Sequence, residues 1–101
     1  MLIVPLIPTP SQTLTIQLAN QPCTINVYQR STGVFIDLFV NDAPIITSVI
    51  CQDRNRIVRD TYLGFLGDLA FFDLQGEDDP YYTGLGDRWV LGYLTTADLA
   101  G

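Results

Sequence analysis

Residues 13–40 read TLTIQLANQPCTINVYQRSTGVFIDLFV, and three alternating runs in this stretch decide the fold. In the first run Leu14, Ile16 and Leu18 alternate with Thr13, Thr15 and Gln17. In the second Cys23, Ile25 and Val27 alternate with Thr24, Asn26 and Tyr28. In the third Val34, Ile36, Leu38 and Val40 alternate with Phe35, Asp37 and Phe39. Side chains on an extended chain point to opposite faces in turn, so each run predicts a strand with one apolar face. Asn20-Gln21-Pro22 and Ser31-Thr32-Gly33 separate the runs with turn chemistry, and Asn41-Asp42-Ala43-Pro44 precedes a fourth strand, Ile45 to Cys51. Short connections of this kind predict an antiparallel meander.

The pattern loosens after residue 51. A polar run, Gln52 to Arg56, leads into Ile57-Val58. Leu69 to Asp73 reads as a strand, Gln75 to Gly86 as a long turn-rich loop, and Arg88 to Leu94 as the last strand. No helical period runs for three turns. The expected fold is all-β: a small antiparallel β-sandwich or partly open barrel of about seven short strands. Residues 1–10, with Pro5, Pro8 and Pro10, are expected to form an extended arm or edge strand. Residues 11–94 would then be one β domain, dispensing with the arm for folding, and 95–101 a tail with at most one helical turn.

The chain has 101 residues, enough for one domain with a thin core and little left for a deep cleft. Apolar residues make up 48%, which excludes disorder, and charged residues only 16% against about 25% in an ordinary soluble domain. Part of the surface is therefore expected to be covered by partners. Eleven acids face five arginines, for a net charge of −6. That sign argues against nucleic acid and against anionic membranes, and no apolar run is long enough for a spanning helix. The apolar, prolyl N-terminus lacks the basic leader of a secretion signal.

Chemistry has few places to reside. Without histidine or lysine, Ser11, Ser31, Ser48 and the two cysteines have no activating base, so the chain is expected not to be an enzyme. Cys23 and Cys51 sit 28 residues apart in apolar runs, read as buried reduced thiols with a disulfide as the alternative. Asp68 and Asp73 bracket one strand and would stand more than ~15 Å apart, too far to act on one bond. Gly64-Phe-Leu-Gly67 and Gly84-Leu-Gly86 precede no helix and read as turns, not phosphate cradles. The acidic loop (Asp73, Glu77, Asp78, Asp79, with Asp87 beyond) reads as a solvated turn; oxygen ligation of Ca²⁺ is its alternative. No cofactor is expected.

Contact surfaces are better supplied. The apolar arm, Leu2, Ile3, Val4, Leu6 and Ile7, needs a cover, either its own sheet or a neighbouring subunit. Arg54, Arg56 and Arg59 cluster in an acidic chain, to pair internally with Asp53, Asp60, Asp68 or loop 77–79, or with a partner's acidic surface. Among the aromatics Tyr62, Phe65, Tyr81 and Tyr82, the last two stand in a polar loop and suit an interface.

Several stretches together resemble the baseplate plug proteins of contractile-tailed bacteriophages. They are Ile7-Pro8-Thr-Pro10-Ser11-Gln12; Arg54-Asn-Arg56-Ile-Val58-Arg59 before Tyr62-Leu63-Gly64-Phe65 and Gly67-Asp68-Leu69; and Asp73-Leu-Gln75-Gly76 before Asp78-Asp79-Pro80 and Gly84-Leu85-Gly86. The likeness runs from about residue 7 to 94 and is most specific over 54–86. It implies a non-enzymatic virion component at the central hub, near the distal end of the tail tube, where it helps close the channel. The implied partners are hub, tube-end or spike proteins, with the tape-measure protein a further candidate, and copies of the chain itself in a symmetric assembly. The chain would reside in the host cytoplasm before assembly. The rival reading is a carbohydrate- or cell-surface-binding β module that uses Trp89 and the acidic loop with calcium.

Overall fold

The computed structural model describes residues 2–59 and 65–100. Asp60, Tyr62 and Gly64, singled out above, lie outside the described residues. Among the described residues, seven strands form two antiparallel sheets: β1 (Leu2–Val4), β2 (Ser11–Leu18), β3 (Gln21–Arg30), β4 (Gly33–Val40), β5 (Ala43–Ile50), β6 (Asp68–Asp73) and β7 (Trp89–Leu94). The order β2-β3-β4-β5 makes a four-stranded meander, and β1-β7-β6 makes a three-stranded sheet. The protein is thus an open sandwich and not a closed barrel.

The alternation read from the sequence sets which face is buried. Cys23, Ile25 and Val27 on β3 and Val34, Ile36 and Leu38 on β4 face inward, with Leu69, Phe71, Leu91 and Tyr93 from the other sheet in the same core. Burying side chains of this size stabilises by about 1.5–3 kcal/mol each. Both cysteines are buried free thiols, so the disulfide alternative does not hold. Burial also pushes both thiols up, leaving them small apolar fillers.

The turns are tighter than the sequence implied. Leu18 pairs with Gln21 and Val40 with Ala43, so the connections are the two-residue turns Ala19-Asn20 and Asn41-Asp42, while Gln21-Pro22 and Ala43-Pro44 lie in strands. All four turn residues have positive φ, from 51 to 65°. That backbone twists with the flanking strands, which is why such turns close hairpins.

The N-terminal residues are an integral part of the sandwich. Leu2, Ile3 and Val4 pair with Tyr93, Gly92 and Leu91, and Val4 and Leu6 belong to the core. The arm therefore lies on its own sheet, the first of the two covers expected for it. At the other terminus, the helix α1 (Thr96–Ala100) packs on β7. Its cap is reciprocal: Asp98 N–H donates to Thr95 Oγ1 (3.1 Å) and Thr95 N–H to Asp98 Oδ2 (3.0 Å).

Ala19 holds a left-handed backbone (φ 51°) that a side chain disfavours by about 1–2 kcal/mol. Ala19→Gly should therefore raise stability by about 0.5–1 kcal/mol after glycine's larger chain entropy is counted. An upward shift of the urea midpoint at constant m would register it.

Candidate functional site

The two carboxylates that bracket β6 are both buried, and each accepts hydrogen bonds from an irregular segment. Asp68 Oδ1 accepts from the backbone N–H groups of Val58 (2.7 Å), Leu69 (2.7 Å) and Ile57 (3.2 Å), and Oδ2 from that of Arg59 (2.8 Å). Asp73 accepts a two-pronged guanidinium, Arg88 Nε on Oδ1 (2.9 Å) and a terminal nitrogen on Oδ2 (2.8 Å), plus the amides of Gln75 and Asp78 (2.9 Å each). Arg88 also reaches Asp78 (2.9 Å) and lies 4.5 Å over the Trp89 ring. Hydrogen bonding from Arg88 holds the Asp73 carboxyl well below the usual range.

These pairings commit the carboxylate lone pairs to backbone donors or to a fixed cation. The loop geometry lends the calcium reading no support: Asp73 is committed to Arg88 and backbone amides, Asp78 carries Arg88, and Asp79 Oδ1 accepts the Asp53 N–H (3.0 Å). No three metal-ligating side chains gather among the described residues. Trp89 is buried with its indole N–H on the Asp78 carbonyl (3.0 Å), so it offers no open platform to a sugar.

Ser48 Oγ lies 3.2 Å from the Tyr28 hydroxyl oxygen, and its N–H donates to Asp37 Oδ1 (2.7 Å). Gly86 has φ 83° and its α-carbon lies against the Leu6 carbonyl, a close approach that a side chain would block. Arg54 pairs with Asp53 (2.6 Å) and reaches the Gly76 carbonyl (3.4 Å). It is the N–H of Arg59, not its guanidinium, that bonds Asp68.

The residues expected to meet partners fall on two sides. Leu2, Ile3 and Ile7 are exposed on the β1 edge, whereas Val4 and Leu6 point into the core. Arg54, Arg56 and Arg59, all exposed, run along the opposite edge of the same sheet, where Arg54 N–H donates to Phe71 O and Ile57 N–H to Leu69 O beside β6. Tyr81 is exposed, and Tyr82 is half-buried, its N–H on Gln29 Oε1 (3.1 Å) and its ring 5.0 Å from that of Tyr81.

Sequence reasoning missed the outer face of the four-stranded sheet. There a row of polar groups crosses all four strands: Thr13 Oγ1 to Asn26 (2.8 Å), Asn26 to Asp37 (3.2 Å), and Asp37 to the Tyr28 hydroxyl (2.9 Å) and to Ser48 N–H. Burial pushes the Asp37 carboxyl up, but these donors and Arg30 outweigh it and leave it lower than usual. Arg30 lies over the stacked Tyr28 and Phe35 rings, 5.1 and 5.9 Å from their centroids. Placing Asp37 between Phe35 and Phe39 was the one available signal.

Two measurements follow from the carboxylates. Asp68→Ala should cost about 2–4 kcal/mol in denaturant unfolding, because it strands buried amides, and Asp68→Asn less, because one acceptor remains. The folded pKa of Asp73 lies below its unfolded value, so its contribution is fully present above about pH 4 and is lost as pH falls through the folded value. Asp73→Asn should accordingly lower the melting temperature at pH 7 and flatten its decline below about pH 4.

No curated protein matches the chain. A protein-family model described as cyanophage baseplate Pam3 plug gp18 matches residues 1–96, a span that holds all seven strands and both buried carboxylates. The resemblance read from the sequence is thereby shown, and the chain belongs to this baseplate plug family.

Proposed function

We propose that the protein is a non-enzymatic plug subunit of a phage tail baseplate, seated at the central hub of a contractile tail near the distal end of the tube. The observation that carries this reading is the family match across residues 1–96. The chemistry of the fold agrees with it: the buried carboxylates are tied to amides and arginine, and apolar side chains stand exposed at the β1 edge. A subunit held among neighbours needs such surfaces and needs no reactive group.

In this reading Leu2, Ile3 and Ile7 form one contact edge and Arg54, Arg56 and Arg59 the other, with Tyr81 and Tyr82 at the loop. The hub, tube-end and spike proteins are the partners, and the tape-measure protein is a further candidate. The opposed edges allow one subunit to touch two neighbours at once. The carbohydrate- or calcium-binding alternative is not retained, given the committed loop carboxylates and the covered Trp89.

Mass spectrometry and labelling of purified virions should find the protein at the distal end of the tail, and its absence from particles would overturn the proposal. Within that setting, Ile3→Glu with Ile7→Glu should change the melting temperature by no more than ~3 °C, since both side chains are exposed (45% and 62%). The same pair should reduce incorporation into tails severalfold, scored by tail composition and plaque yield.

A further inference from the structure

Of the four lateral sheet edges, three are guarded. β1 is three residues long and is followed by Pro5. The outer side of β6 is sealed by residues 53–59, through Arg54 N–H on Phe71 O (2.7 Å) and Ile57 N–H on Leu69 O (2.9 Å). β5 carries Pro44, two register shifts against β4 and a left-handed Ser48 (φ 55°). Natural sheets blunt their edges with these devices, because an open ladder pairs with whatever strand meets it.

β2 has none of them. It runs eight residues in unbroken register with β3, holds no proline, glycine or charge, and has no backbone partner on its outer side among the described residues. Gln29 N–H donates to Pro10 O and the turn closes on Leu18 and Gln21, so the even-numbered residues of β2 bond β3. Thr13, Thr15 and Gln17, all exposed, therefore aim N–H and C=O outward. On the inner face Leu14 and Ile16 are only half-buried, at the rim of the core.

We propose that β2 is a homotypic docking edge, through which two copies of the chain pair antiparallel about Thr15 into one continuous sheet. The strand is complementary to itself in that register. Thr15 opposes its counterpart, Thr13 opposes Gln17, and on the inner face Leu14 opposes Ile16, so the two half-buried positions cover one another. A slip of one residue would set apolar against polar side chains, so only registers that keep the two faces matched remain. The uncharged strand also lets two copies of a chain of net charge −6 approach.

Light scattering on the purified full chain should give a mass twice 11.2 kDa at ~100 μM, falling on dilution. Thr15→Glu and Thr15→Lys, each placing like charges at the dyad, should both weaken association at least tenfold, and their equimolar mixture should restore it. Amide exchange offers a check that needs no variant: protection of Thr13, Thr15 and Gln17 should rise with wild-type concentration. A wild-type monomer at ~100 μM, association indifferent to both substitutions, a mixture that stays monomeric, or concentration-independent exchange would each overturn the proposal. The plug reading stands or falls separately, on the presence of the chain in tails.

Discussion

Two buried carboxylates at the ends of one strand hold the irregular half of this protein in place. A chain of 101 residues builds a thin core, and long connections laid over it carry backbone amides that must find acceptors. Asp68 gathers the amides of residues 57–59, and Asp73 those of the loop that begins at Leu74. A neutral side chain would offer fewer lone pairs, and an unpaired charge could not stay buried. Arg88 resolves the second problem for Asp73, and the cluster of amides around Asp68 resolves the first.

Both acids are thus given to holding the fold together. An acid that accepts a two-pronged guanidinium and two amides has its geometry and its protonation fixed by the fold. The Asp37 row on the outer sheet face follows the same logic with neutral donors, and it pins the bulged β5 edge to the regular strands beside it. Polar chemistry here positions backbone, while the surface carries apolar side chains at the β1 edge, arginines along the β6 edge and, among the described residues, an unpaired ladder on β2. Such a division suits a part built to be surrounded, and it is consistent with membership in a baseplate plug family.

Much of the fold was legible because period-two alternation is a local property. The runs at 13–18, 23–28 and 34–40 predicted strand, buried face and meander, and the structure places Leu18, Ile25 and Leu38 in the core with their neighbours outward. The turns were misplaced by one or two residues, since Gln21-Pro22 carries turn chemistry while the register with β2 leaves it in β3. The contact residues were legible as residue types but not as positions. Val4 and Leu6 match Ile3 and Ile7 in composition, and only the folded path of the segment decides which of them are buried.

By itself, then, the sequence determined an all-β fold of short antiparallel strands and carried the marks of its family, because alternation and motifs are properties of the chain read in order. The tertiary structure alone decided which charges meet and which edges stay open. Arg54, Arg56 and Arg59 were nearer in sequence to most of the acids, yet Arg88, fifteen residues beyond Asp73, takes the buried carboxylate because β6 and β7 pair Asp73 with Trp89. Likewise β2 and β5 read as equally good strands, and only their register in the folded sheet shows that β5 is broken by bulges and β2 is not. Partners of this kind are chosen by distance in space, which no local reading of the chain contains.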